Sequence, residues 1–167
     1  MDAVDQLEIL GRLIMAAGLG GLIGLERELR GYPAGIRTMA LITMGSMLFT
    51  DVSQLLGGED RIAAGIVTGI GFLGAGVIFR EGYTVRGITT AATIWAASAI
   101  GMAIGRELYL VAGLGTLIIF VVLEARPFTR RVDEAIRRRT RELSEELEEL
   151  ITSSDMDDIK REKDRDE

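Results

Sequence analysis

Charged and hydroxyl-bearing side chains gather at the ends of several long apolar runs, where groups of opposite charge could form one polar site. Ionisable groups within or beside a membrane-spanning run are costly, so they are functional candidates. We expect Glu26 and Glu81 to pair with Arg37 and Arg86, because acids contribute little to membrane topology. The alternative is that these arginines only anchor the chain at the membrane surface, as we expect for Arg30. The predicted polar cluster comprises Glu26, Arg27, Arg37, Thr38, Arg80, Glu81, Arg86, Thr89 and Thr90.

A second polar pair is predicted toward the other ends of the first two runs. Asp51 lies 15 residues after Ile36, which is about 22 Å along a helix. Arg12 has a similar depth in the first run and is the expected partner of Asp51. Either Asp51 faces a water-filled crevice, or the membrane surface is shallower than the apolar run, and the sequence leaves both open.

Catalytic chemistry has little support in the sequence. The chain contains no cysteine and no histidine, which excludes thiol nucleophiles, imidazole bases, disulfides and zinc fingers. A lone Asp51 does not make the pair of acids that an aspartyl protease needs. We therefore expect a protein that is not an enzyme and that has no cofactor and no metal site.

Nearly charge-free apolar runs must position these polar groups. A hydrocarbon core of about 30 Å requires about 20 apolar residues of helix. The runs predict an all-α, polytopic membrane helix bundle with about five transmembrane helices, because they lack the polar faces that helices of a soluble bundle would carry. They cover residues 9–25, 36–56, 62–79, 88–105 and 108–125.

Basic residues predict the orientation of the bundle. They are concentrated in the first and third connections and at the start of the tail, and short connections rich in arginine stay cytoplasmic. We therefore expect a multi-pass protein of the cell inner membrane with its N-terminus outside and its C-terminus cytoplasmic. The polar cluster would then lie at the cytoplasmic face, and Arg12 and Asp51 toward the outer side. The acidic N-terminus lacks a basic region, so the first run is expected to be retained.

Small residues within the runs predict close helix packing, since glycine lets helix backbones approach in lipid. The expected packing positions are Gly20, Gly24, Gly65, Gly69, Gly74, Gly101 and Gly105. Polar side chains at mid-depth are few, with Thr43, Thr68, Ser98 and Thr116 as the candidates.

The C-terminal tail differs in composition from the rest of the chain. We divide the sequence into a transmembrane domain (1–126), a charged amphipathic cytoplasmic helix (127–151) and a disordered acidic tail (152–167). The net charge of −6 argues against a nucleic-acid partner, which requires a basic face. The narrow apolar stripe of the tail helix favours self-association or binding to the membrane surface, so a homo-oligomer is expected.

Residues 21–46 and 61–105 resemble the MgtC/SapB (YhiD-like) family of bacterial inner-membrane proteins. The shared segments are GLER, AGIRT, GFLGAG, REG and TTAAT, in the family's order and spacing. The resemblance covers about residues 7 to 125 and implies a five-span domain. It also implies a role in growth at low magnesium, in some members virulence, and modulation of the proton-motive ATP synthase. The family's motif acids and arginines correspond to Glu26, Arg27, Arg37, Arg80, Glu81 and Arg86.

Two departures from the family pattern affect these expectations. Ala96 follows Trp95, where well-known members carry a cysteine, and a small cytoplasmic ACT-like domain is replaced by a charged helix. Two functions compete: a regulator that docks on a membrane complex through its spans, and a transporter or channel subunit for small solutes or divalent cations. The scarcity of polar groups at mid-depth favours the regulator.

Overall fold

The structure is a computed structural model that describes residues 3–57, 60–81 and 84–125. Five helices and one hairpin follow in the order α1 (Ala3–Leu29), α2 (Ile36–Leu55), α3 (Asp60–Gly76), β1 (Phe79–Glu81), β2 (Thr84–Arg86), α4 (Ile88–Gly105) and α5 (Tyr109–Glu124). The predicted all-α class is therefore confirmed.

The helices begin and end close to the apolar runs that predict them, with two differences. Helix α1 has 27 residues, about 40 Å of helix, and continues beyond its apolar run at both ends. Helix α3 ends at Gly76, because the chain then enters the antiparallel hairpin, in which Arg80 pairs with Val85.

Two helical segments, Val4–Leu29 and Ile88–Gly105, are long and apolar enough to cross a membrane by length and composition. Two shorter apolar helices, Arg61–Gly76 and Tyr109–Glu124, accompany them. Large apolar side chains such as Phe72 cover the outside of the bundle, as expected for a surface that faces lipid. Five crossings stay a prediction.

Helix α2 lies between α1 and α4, while α3 packs mainly on α4. Helices α1, α2, α4 and α5 share two apolar clusters along their length. One consists of Ala16, Met47, Ile100, Ile104 and Ala112. The other consists of Ile23, Met39, Ile94, Ala97 and Leu123.

Glycines on α1 and α4 allow both helices to approach α2 closely. A Cβ atom at Gly24 would lie 2.6 Å from the carbonyl oxygen of Gly35, and one at Gly105 would lie 2.8 Å from that of Met47. Gly20 and Gly101 would likewise collide with Thr43. These four predicted packing positions therefore lie at close helix contacts. Gly74 is less constrained, because a Cβ atom there would lie 3.5 Å from the carbonyl oxygen of Ala91.

The glycines of α3 differ from this expectation. A Cβ atom at Gly65 or Gly69 would meet nothing within 4 Å in the part of the chain that the structure describes. Both glycines instead line an apolar groove of about 620 Å³ between α2 and α3, together with Gly45 and Phe49. The face of α3 that bears them therefore does not pack against another described helix.

Residue contacts divide the chain into two units, Met1–Leu123 and Glu124–Glu167. The helices above belong to the first unit, apart from the last residue of α5. The predicted tail helix (127–151) and acidic tail (152–167) lie outside the described residues.

Candidate functional site

The end of α1 brings a buried arginine against the start of α4. The side chain of Arg27 is 2% exposed, and its guanidinium donates a hydrogen bond to the hydroxyl of Thr90. It also lies over the ring of Tyr32, 4.3 Å from the ring centroid, a distance at which a cation is attracted to an aromatic face. We call Glu26, Arg27, Arg30, Tyr32 and Thr90 the Arg27 site.

The backbone at the end of α1 places Tyr32 over Arg27. Gly31 has a φ of 71°, its N–H donates to the carbonyl of Glu28 (3.0 Å), and the N–H of Tyr32 donates to the carbonyl of Arg27 (2.9 Å). This is the Schellman motif, whose left-handed position favours glycine. The motif turns the chain back at Gly31, so Tyr32 lies beside the last turn of the helix.

Glu26 forms an ion pair with Arg30, one turn along the chain. Its Oε1 atom lies 2.8 Å from Nε of Arg30, and the Glu26 side chain is only 5% exposed. We predicted Arg37 as the partner of Glu26 and Arg30 as a solvated anchor. The structure pairs Glu26 with Arg30 instead of Arg37, because Arg30 lies one turn after Glu26 at the same helix end. Arg30 is exposed as predicted, but it also forms this ion pair.

Four of the remaining members of the predicted polar cluster are exposed: Thr38, Arg80, Arg86 and Thr89. The side chain of Glu81 lies outside the description. Sequence reasoning missed Glu28, whose Oε2 atom accepts a hydrogen bond of 2.9 Å from the N–H of Ile36. Glu28 thereby satisfies a backbone donor at the start of α2, where Gly35 provides no side-chain cap.

The other end of α1 carries an ionic network around Arg12. Arg12 lies 3.0 Å from Oδ1 of Asp51, its predicted partner, and also contacts Glu107 (3.3 Å) and Glu8 (3.7 Å). We call Glu8, Arg12, Asp51 and Glu107 the Arg12 network. Sequence reasoning missed Glu8, although it lies one helical turn before Arg12, and Glu107, which is distant in sequence.

Glu107 reaches Arg12 from an unusual backbone conformation. Its φ is 62°, its N–H donates to the carbonyl of Ile104 (2.9 Å), and the N–H of Leu108 donates to that of Ala103 (2.9 Å). Helix α4 therefore also ends in a Schellman motif, with a glutamate at the position where glycine is favoured.

A polar cavity of about 260 Å³ opens beside the Arg12 network. Asp51 is the most deeply buried acid of the network, with 7% of its side chain exposed. Its Oδ2 atom has no hydrogen-bond partner among the described residues. The cavity is lined by Asp5, Glu8, Ile9, Arg12, Asp51, Gln54, Leu55 and Glu107.

Between the two ends, the interior contains hydroxyl groups bonded within the protein. The hydroxyls of Ser46 and Ser98 lie 2.8 Å apart across the α2–α4 interface. Thr43 and Thr116 donate to the carbonyls of Met39 (2.9 Å) and Ala112 (2.8 Å) on their own helices. The close contacts of Gly101 lie along the same interface. The interface is therefore packed and polar.

Two described helices are long and apolar enough to cross a membrane by length and composition, and charged residues lie at their ends, an arrangement typical of a helical membrane protein. Among the described residues, no group of three or more acids is placed to hold a metal ion. The sequence model of the MgtC family matches residues 13–132, and the chain belongs to that family.

Curated relatives carry the same region. "Protein MgtC" of Brucella abortus (strain 2308) is 49% identical over 107 residues, which cover 62% of this chain and 45% of the relative. "Putative magnesium transporter YhiD" of Escherichia coli K12 is 46% identical over 129 residues, 70% of this chain and 60% of that protein. An uncharacterized protein of Haemophilus influenzae is 37% identical over 152 residues, covering 82% and 64%.

The chain thus spans about half the length of the Brucella protein that it matches. No solved structure matches it.

Proposed function

We propose that this chain is a non-enzymatic regulator in the cell inner membrane that supports growth at low magnesium. It would do so by binding and modulating another membrane complex, such as the proton-motive ATP synthase, through its membrane-embedded helices. The proposal includes five spans, an outside N-terminus and a cytoplasmic C-terminus, which would place the Arg27 site at the inner face. Self-association into a homo-oligomer belongs to the same proposal.

The packed interface between α2 and α4 is the observation that carries this proposal. Transport through one chain requires a polar path between the two membrane faces. Here the hydroxyls of Ser46 and Ser98 bond to each other, and a Cβ atom at Gly101 would collide with the backbone of α2. The polar groups at the two ends are therefore separated by close-packed protein in the described residues, which favours a regulator over a conduit.

Transport of a divalent cation is the second candidate. The name of the Escherichia coli relative favours it, as does the excess of acids around the cavity beside the Arg12 network. A conduit would then have to form outside the α2–α4 interface, for example between copies of the chain.

Complementation at limiting magnesium tests the proposal in cells that lack the endogenous homologue. We expect Arg27→Gln and Thr90→Val to lose growth support at a normal membrane level, whereas Thr89→Val, the matched exposed control, should keep it. ATP hydrolysis by the synthase in inverted membrane vesicles should respond to the wild-type chain but not to Arg27→Gln. Magnesium uptake by liposomes that contain only this chain would favour transport and contradict the regulator.

A further inference from the structure

We propose that the groove between α2 and α3 binds one anionic phospholipid, with an acyl chain in the groove and the headgroup phosphate at Arg37. The proposal requires only that the chain lies in a membrane, and it is independent of the regulatory role above. It is based on the shape of the groove, on its length and on the charge at one of its ends.

The shape and the chemistry of the groove suit a chain of methylene groups. A Cβ atom would meet nothing within 4 Å among the described residues at three of its lining glycines, Gly45, Gly65 and Gly69. Ser46 is the only described lining residue with a polar side chain, and its hydroxyl lies 2.8 Å from that of Ser98. A ligand in the groove of about 620 Å³ therefore meets an apolar surface.

The length of the groove favours an acyl chain over a helix. The lining residues on α3 extend from Ile62 to Leu73, which is about 16 Å of helix rise. A hydrocarbon core is about 30 Å thick, so one leaflet contributes about 15 Å. An acyl chain of one leaflet therefore matches the groove, whereas a transmembrane helix of a second copy would need contacts across the whole core.

Arg37 extends the α2 side of the groove by one helical turn. Leu41, Gly45 and Phe49 line the groove, and Arg37 precedes Leu41 by four residues, so all four lie along one ridge of the helix. Arg37 is exposed and forms no ion pair with a described residue. A guanidinium group can bind a phosphate through two parallel N–H donors, so Arg37 can hold a headgroup whose acyl chain enters the groove.

The charge of this end of the bundle favours an anionic headgroup. The end of α1, the start of α2 and the hairpin carry five arginines and three glutamates: Glu26, Arg27, Glu28, Arg30, Arg37, Arg80, Glu81 and Arg86. At the opposite end, acids exceed bases around the cavity beside the Arg12 network. Basic residues near a membrane surface attract anionic lipids. Because lipid tails are as apolar as the groove, we expect the headgroup to determine which lipid binds.

Quenching of tryptophan fluorescence by brominated lipids tests the site in the full chain. The reporter variant Phe49→Trp/Trp95→Phe places the only tryptophan at an exposed residue that lines the groove. Its fluorescence is measured in phosphatidylcholine bilayers that contain increasing fractions of either phosphatidylglycerol or phosphatidylcholine with brominated acyl chains. The ratio of the two quenching curves gives the relative affinity, and we expect phosphatidylglycerol to bind about 5-fold more tightly.

Matched variants locate the two parts of the ligand. The unchanged chain should respond equally to both lipids, because Trp95 is exposed on α4 and does not line the groove. In the reporter variant, Arg37→Gln should remove the preference for phosphatidylglycerol, whereas Arg106→Gln, at an exposed arginine of the opposite end, should keep it. Gly65→Phe should fill the groove and reduce quenching by both lipids. Gly71→Phe is the control, since Gly71 has the same open space but does not line the groove.

Three results would overturn the proposal. Equal quenching of the reporter by the two brominated lipids would show that the groove does not select an anionic headgroup. A preference that survives Arg37→Gln would remove the phosphate from Arg37, an exposed residue whose substitution leaves the helix contacts intact. Protection of the reporter from both lipids would show that protein covers the groove, as a helix of a second copy would.

Discussion

Helices α1 and α4 end in the same backbone motif, but the arginines near the two ends have different surroundings. At the end of α1, Gly31 occupies the left-handed position, and Tyr32 covers Arg27, which is 2% exposed. At the end of α4, Glu107 occupies that position and contacts Arg12 directly, and both residues line a cavity. The same motif therefore places an aromatic ring over an arginine at one end and a carboxylate beside an arginine at the other. The difference depends on which residues follow the helix.

The most buried charges at the two ends also differ in sign. In the Arg27 site it is a cation, with a hydroxyl and an aromatic ring among its contacts. In the Arg12 network it is the carboxylate of Asp51, paired with a guanidinium. We therefore expect substitutions to act through different physical terms: hydrogen bonding and packing at Arg27, and an unbalanced charge at Arg12.

The largest effect is expected from Arg12→Gln. It leaves the buried carboxylate of Asp51 without its cation, which costs about 3–5 kcal/mol for a fully buried pair, and less here because the cavity admits water. Unfolding in mixed micelles with a rising fraction of dodecyl sulfate measures the loss. The double variant Arg12→Gln/Asp51→Asn should recover most of the stability, and a strictly additive loss would show that the two charges do not depend on each other.

Thr90→Val should have the next largest effect. It removes the acceptor of a hydrogen bond from the buried Arg27, and bonds to charged groups contribute about 1.5–3 kcal/mol. The same unfolding assay should show Thr89→Val, at the exposed neighbouring residue, within about 0.5 kcal/mol of the wild type. Equal losses for the two threonines would mean that helix propensity, rather than the bond to Arg27, determines the result.

A smaller effect is expected at the pair formed by Glu26 and Arg30. Arg30 is 34% exposed and can turn to solvent, so we expect Glu26→Gln to cost about 1 kcal/mol, near the upper limit for partly exposed ion pairs. Arg30→Gln should cost a similar amount, and a double-mutant cycle should show coupling between the two. Arg37→Gln is the matched control, and a larger loss there would restore the pairing that the structure contradicts.

Much of the fold could be predicted from the apolar runs, because their lengths determine where helices begin and end. The pair of Arg12 and Asp51 could be predicted too, since the rise per residue along a helix places both residues at a similar depth in their apolar runs. The partner of Glu26 could not be predicted in this way. The first run ends at Leu25, whereas α1 continues to Leu29, and this additional turn brings Arg30 to Glu26.

Tertiary geometry explains the other differences. The Gly65–Gly69 and Gly101–Gly105 pairs have the same spacing, yet only the second pair contacts a neighbouring helix in the described residues. The spacing predicts that the two glycines of a pair lie on one face of a helix. It does not predict whether that face contacts a neighbouring helix. Glu107 was missed because only the end of α4 brings it to Arg12.

The smallest effect is expected from Glu107→Gly, which makes the end of α4 resemble the end of α1. A non-glycine residue in the left-handed region costs about 1–2 kcal/mol. Glycine removes that strain, but the variant loses an ion pair worth about 0–1 kcal/mol at this exposure. Glycine also raises the conformational entropy of the unfolded chain, which destabilises the folded protein by about 0.4–1 kcal/mol. These terms nearly cancel, so we expect a change in the free energy of unfolding within about 1 kcal/mol of zero. The reciprocal Gly31→Ala introduces the same strain without any compensating ion pair. The lower entropy of the unfolded chain offsets part of that strain, so we expect a destabilisation of about 0–1.6 kcal/mol. If Glu107→Gly instead destabilises the protein more than Gly31→Ala does, the contact between Glu107 and Arg12 outweighs the backbone strain. Glu107 would then hold Arg12 in position and not only line the cavity.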